Sequence, residues 1–99
     1  MWKSDEIFIV NKNLPQVILN KNYSAINYRV LFTLMNRISY NNRIQTIRQM
    51  KLAEEINTSQ SNISKSLRKL QNDEIIEKRE HDYYFTEKYI KSKVEGVKK

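Results

Sequence analysis

The chain has 99 residues, 39% apolar and 10% aromatic, with one Gly, one Pro, no Cys and a formal net charge of +7. That length suits a single domain, and that apolar share supports a modest core, which excludes a disordered chain. Without Cys there is no disulfide or thiolate metal site, and no apolar run approaches the ~18 residues that a membrane-spanning helix needs.

In chain order, "MWKSDEIFIV" has acidic residues ahead of a short apolar run and no A-x-A site, so it does not read as a secretory signal. The expectation is a cytoplasmic protein with no membrane partner. Residues 6–20, "EIFIVNKNLPQVILN", hold two β-branched and aromatic runs around Asn-Lys-Asn-Leu-Pro. Ile7–Val10 and Val17–Leu19 are predicted as short strands, with Pro15 interrupting the middle.

A helix is predicted to open at Ser24, a good N-cap, with Tyr23 and Tyr28 as the two ends of a hydrophobic staple. Leu31, Leu34, Met35 and Ile38 follow at helical spacing, Val30 and Phe32 widen the stripe, and Asn41-Asn42 stops it. "RIQTI" (43–47) reads as one short strand. Thr46 with Gln49 forms a T-x-x-Q capping box, opening a second helix from about Ile47 to Ile56 that turns Leu52, Ala53 and Ile56 inward. Asn57 stands where a helix end usually wants Gly, and the only Gly is Gly96, so Asn is expected to take the left-handed position.

A third helix starts after Ser59 and runs to about Gln71, with Ile63, Leu67 and Leu70 as its buried stripe. Ile75–Arg79 and Tyr83–Phe85 are predicted to form a β-hairpin around residues 80–82. "KYIKSKVEGVKK" reads as a basic tail with a helical turn. The order is mostly α with a small β component: a winged helix-turn-helix, that is, a three-helix core plus a β-hairpin wing with a short N-terminal extension. The division expected is 1–22 extension, 23–90 winged helix-turn-helix domain and 91–99 basic flexible tail.

The third helix carries the functional expectation. At about 100° per residue, Ser61, Lys65 and Arg68 fall opposite the apolar stripe, with Asn62 and Lys69 further round, Gln60 in the first turn, and Ser64 and Ser66 on the flanks. Cations can meet phosphates, and Asn, Gln, Arg and Lys can read base edges in a major groove. Every soluble helix has a polar face, and three Lys/Arg in twelve residues is ordinary. The contrast is with the preceding helix, where Arg48, Lys51, Glu54 and Glu55 cancel. Arg48 and Lys51 are still candidate DNA contacts, as are Lys78, Arg79 and His81 of the hairpin, although its tip is mixed, with Glu77, Glu80 and Asp82 beside them. Tyr23, Tyr28, Phe32 and Tyr40 read as core or dimer contacts rather than a stacking platform for bases.

Nothing points to an enzyme. One Gly cannot build a P-loop or a dinucleotide loop, one His cannot hold the metal of a rolling-circle nickase, and no nucleophile elbow is present. No cofactor and no metal are expected. "NKNYSAINYRVLFTLMNRISYNNRI" followed by "KLAEEINTSQSNISKSLRKLQNDEIIEK" resembles the RepL-like plasmid replication proteins of low-GC Gram-positive bacteria, over residues ~14–90. The second half of that match is shared by many winged regulators. The resemblance implies sequence-specific binding of double-stranded DNA at an origin or partition site, through Gln60, Ser61, Asn62, Ser64, Lys65 and Arg68, together with replication or partition proteins. Such proteins usually have Gly where this chain has Glu74, so Asn72 or Asp73 is expected to take that left-handed turn. The alternatives are a transcriptional repressor of the same fold and a winged-helix module that binds protein. A homodimer is expected, since two recognition helices read a palindrome. The apolar 6–20 segment, outside the three-helix core, either makes that contact by pairing strands across the two-fold axis or packs on the first helix of its own chain.

Overall fold

The computed structural model describes residues 8–45 and 48–92. Within them the chain forms β1 (Phe8–Val10), α1 (Leu14–Asn20), α2 (Ala25–Met35), β2 (Arg43–Ile44), α3 (Gln49–Ile56), α4 (Gln60–Asn72), β3 (Ile76–Arg79), β4 (Asp82–Phe85) and β5 (Ile90–Ser92), with a 3₁₀ turn at Tyr40–Asn42. The result is a small, compact unit of four helices and short antiparallel sheets.

Local chemistry sets the helix ends. Ser24 caps α2 in a reciprocal box: its Oγ accepts from the Asn27 amide at 3.2 Å, and Asn27 Oδ1 accepts from the Ser24 amide at 2.9 Å. Tyr23 and Tyr28 meet edge to face with ring centroids 6.1 Å apart, closing the expected staple. Ser59 caps α4 by accepting from the Asn62 amide at 3.1 Å. Between α3 and α4 only residues 57–59 intervene, and Asn57 sits in the left-handed region at φ 66°, ψ 56°.

Asn is the recurrent turn residue of this Gly-poor chain. Asn22, Asn41, Asn42 and Asn57 all have positive φ, and Glu74 and Glu80 join them. A side chain at positive φ normally costs about 1 kcal/mol, and Asn tolerates it best because its short amide bonds locally.

The core is one cluster. Val30, Leu31 and Leu34 from α2 meet Leu52 and Ile56 of α3, Ile63, Leu67 and Leu70 of α4, and Ile75, Ile76 and Phe85 of the hairpin. Each fully buried Leu or Ile contributes roughly 1.5–3 kcal/mol of transfer free energy. The hairpin runs in register, Ile76 opposite Phe85 and Arg79 opposite Asp82, and β2 adds to its other side, giving the order β2-β4-β3. β1 and β5 form a separate antiparallel pair, with Phe8 opposite Ser92 and Val10 opposite Ile90. Buried Asn42 joins the two sheets, donating from Nδ2 to the carbonyls of Phe85 and Ile90, both at 2.9 Å.

Several sequence expectations change. Val17–Leu19 is helical, inside α1, and Pro15 stands in its first turn, where a locked φ and a missing N–H cost nothing. Leu14 and Ile18, one turn apart, belong to the main core, so α1 packs on its own chain, the second of the two roles expected of the 6–20 segment. α2 ends at Met35 rather than at Asn41, because Ile38 leaves the helix to bridge Ile44 and the Ser39 amide donates to the Arg43 carbonyl at 2.7 Å. The strand expected over 43–47 is only Arg43–Ile44. α3 begins at Gln49, with Arg48 in the cap position and no side-chain cap bond. Glu74 itself takes the left-handed turn expected at Asn72 or Asp73, at φ 64°. Ile90–Ser92 is a strand, not a helical turn. Expectations on Ile7, Thr46, Ile47, the tail 93–99 and the Tyr40 side chain lie outside the described residues.

Candidate nucleic-acid interface

α4 is held from both sides. Ile63, Leu67 and Leu70 are buried, and Ser66, expected on a flank, is buried too. Its hydroxyl accepts from Asn27 Nδ2 at 2.8 Å, which satisfies a polar group that would otherwise be costly inside. That bond ties the middle of α4 to the first turn of α2. At the far end, the Tyr23 hydroxyl donates to Asp73 Oδ2 at 2.8 Å. Burial, then the bond and the negative charge of Asp73, push the Tyr23 phenol well above its ordinary range. Tyr23 therefore stays neutral and Asp73 is turned away from the open side of α4.

The open side is then defined by what remains. Ser61, Lys65 and Arg68 are exposed at i, i+4 and i+7, directly opposite the buried stripe. Asn72 continues the line at i+11 and is exposed; the sequence reading omitted it, although its spacing from Arg68 is the signal that finds it. No acidic residue occurs from Thr58 to Asn72. Among the described residues, Lys65 and Arg68 have no acidic partner, nor do Arg48 and Lys51 at the start of α3.

The other predicted site residues divide. Gln60 shares a cleft with Arg48, Lys51 and Glu54, so the first turns of α3 and α4 meet there. Asn62 is exposed, but its side-chain Nδ2 donates to Thr58 Oγ1 at 2.8 Å, bracing the turn between the helices. Ser64 is half-buried on the opposite flank. Lys69 bends back, its Nζ 5.1 Å from the centre of the Tyr23 ring, and leaves the open line.

The hairpin contributes little free charge. Arg79 lies over the Tyr84 ring at 4.2 Å and donates from Nε to Glu77 Oε2 at 3.2 Å, and the bond to Glu77 strengthens its hold on its proton. Lys78 lies over Tyr83 at 5.5 Å, and Arg43 pairs with Asp82 at 3.3 Å. His81 is exposed at the two-residue tip beside Glu80. Tyr83 and Tyr84 are half-buried and Phe85 is buried, so this strand offers no open aromatic row.

Among the described residues, no group of three or more His, Asp or Glu converges as a metal site would require, and no helix is long and apolar enough to cross a membrane. No protein-family model, no curated protein and no solved structure matches the chain.

Proposed function

We propose that this protein binds double-stranded DNA, with α4 as the recognition helix of a winged helix-turn-helix. The fold reading is supported by α3 and α4, joined by three residues and packed on α2, and by the β3–β4 hairpin that follows. The observation that carries the functional reading is the acid-free outer line of α4: Ser61, Lys65, Arg68 and Asn72 are exposed and its cations are unpaired.

Thirteen residues make a rod of about 20 Å, which a major groove about 12 Å wide admits. Ser61 is small enough to let the first turn approach the bases. Gln60 and Asn62 supply carboxamides near that end, Lys65 and Arg68 reach base edges or phosphates, and Arg48 and Lys51 reach the flanking backbone, as the preceding helix does in this geometry. Because Lys78 and Arg79 are engaged within the hairpin, the wing contributes less than α4 does.

The resemblance to RepL-like proteins supports an origin or partition site of a mobile element as the target. The test is selection of bound duplexes from a random pool, followed by mapping of the selected motif. A motif at an origin whose loss stops plasmid maintenance supports the replication role. A motif overlapping a promoter, with no effect on maintenance, replaces it with repression. Absence of any salt-dependent duplex binding rejects the DNA reading. Lys65→Ala and Arg68→Ala each lower affinity by ~1–3 kcal/mol where they contact bases.

A further inference from the structure

Five large apolar side chains are exposed among the described residues, and three of them, Val10, Leu19 and Phe32, line one groove. Its floor is Leu14, Ile18 and Leu31, between α1 and α2. Leu19 is 66% exposed and Phe32 54% exposed, so Phe32 does not join the core, the first of the two roles expected of it. No residue of α3 or α4 lines the groove, so it is separate from the cationic line of α4.

We infer that this groove is a self-association surface, filled by Phe32 of a second copy of the chain in a two-fold arrangement. Three observations select that occupant. The first is self-complementarity. Phe32 stands on the rim, where it also borders a second cleft formed by Arg29, Thr33 and Glu55, so each copy presents both a knob and a hole. An isologous contact requires that pairing on one surface.

The second observation is charge. The 18 residues of α1 and α2 hold one ionic side chain, Arg29, in a chain that is 29% charged. Its guanidinium is turned onto the Ile56 carbonyl at 3.3 Å. Two molecules of net charge +7 meet with least repulsion through this face. An anionic partner such as nucleic acid or a lipid headgroup finds almost no counter-charge here.

The third is area. Val10, Leu19 and Phe32 together expose on the order of 300 Å², the size of the largest apolar patch on a typical monomer, which is often functional. With half-exposed Tyr28 and Met35 around it, that supplies most of the apolar centre of a contact burying ~800 Å² per partner.

Sedimentation equilibrium of the full chain from about 1 to 200 µM tests the inference, a span that covers the affinities expected of a small two-fold contact. The expected result is a dimer whose association weakens at least about tenfold in Phe32→Glu and in Leu19→Glu, with unchanged far-UV circular dichroism. Because the chain has no Cys, a Phe32→Cys variant gives an independent reading: it oxidises to a disulfide-linked dimer, and a Glu87→Cys control does not. A wild-type chain that stays monomeric throughout overturns the inference and leaves the groove to a different partner. A dimer undiminished in both Glu variants, or equal cross-linking of the two Cys variants, overturns it equally. Salt-dependent binding of a half-site duplex by the same variants reads the separate proposal for α4, since one copy suffices there and neither substitution touches that helix.

Discussion

Replacing Lys65 and Arg68 together by Ala changes the electrostatics of the α4 face without touching its packing, since both side chains are exposed and unpaired. Among the described residues, Arg48, Lys51, Lys65 and Arg68 are cations without an acidic partner near the two helix starts and the open line of α4. If all four meet phosphates, the logarithm of affinity falls against the logarithm of salt with a slope of about −3.6, at about 0.9 per contact. Between 50 and 200 mM salt, affinity then drops roughly 150-fold. The double variant keeps two contacts, its slope falls to about −1.8, and its loss over the same range shrinks to roughly 12-fold. Fluorescence anisotropy with one labelled duplex at four salt concentrations measures both slopes. Two bound copies double both values and leave their ratio at about 2. Equal slopes for the wild-type and double-variant chains refute the reasoning, and a wild-type slope near zero refutes the phosphate contacts altogether.

Three further outcomes test the fold that carries this face. Asn42→Ala removes two buried hydrogen bonds to the Phe85 and Ile90 carbonyls and lowers stability by about 3 kcal/mol in urea unfolding, and Asn42→Gly recovers only the backbone share. Glu80→Gly relieves a positive φ at the hairpin tip and raises the unfolding free energy by about 0.5–1 kcal/mol, read in the same urea assay. Because the Tyr23 phenol is pushed up in the fold, its contribution is complete below the ordinary tyrosine pKa of about 10 and is lost as pH rises beyond it. Tyr23→Phe therefore gives a shallower fall in stability above that pH, read from thermal midpoints between neutral and strongly alkaline buffer.

The helices that carry the candidate interface were legible because their signals are local. Ser59, the Ile63–Leu67–Leu70 stripe and Asn57 each act within a few residues, and the turn between α3 and α4 forms as those signals dictate. The misreadings come where distant partners decide. Val17–Leu19 looks extended by composition, but Leu14 and Ile18 find the core only as a helix. Ile38 continues the helical period of α2 and is taken instead by Ile44. The strand Ile90–Ser92 has no signal of its own, since its partner is β1 at the other end of the chain. Ser66 looked like a flank residue because only Asn27, in another helix, makes its burial tolerable. The Lys69 and Arg79 side chains, read as cations for the interface, are drawn onto tyrosine rings that lie close only in the folded chain.

The pairing of Phe8 with Ser92 brings the two ends of the described chain side by side. The protein can thus be rewired: a short linker between those ends and a new opening at Glu80–His81 would preserve every strand pairing while reversing the order in which they are made. Among the strand pairings of the described residues, β1–β5 closes the longest loop in the natural connectivity and so carries the greatest closure entropy, which the rewired chain would transfer to β3–β4.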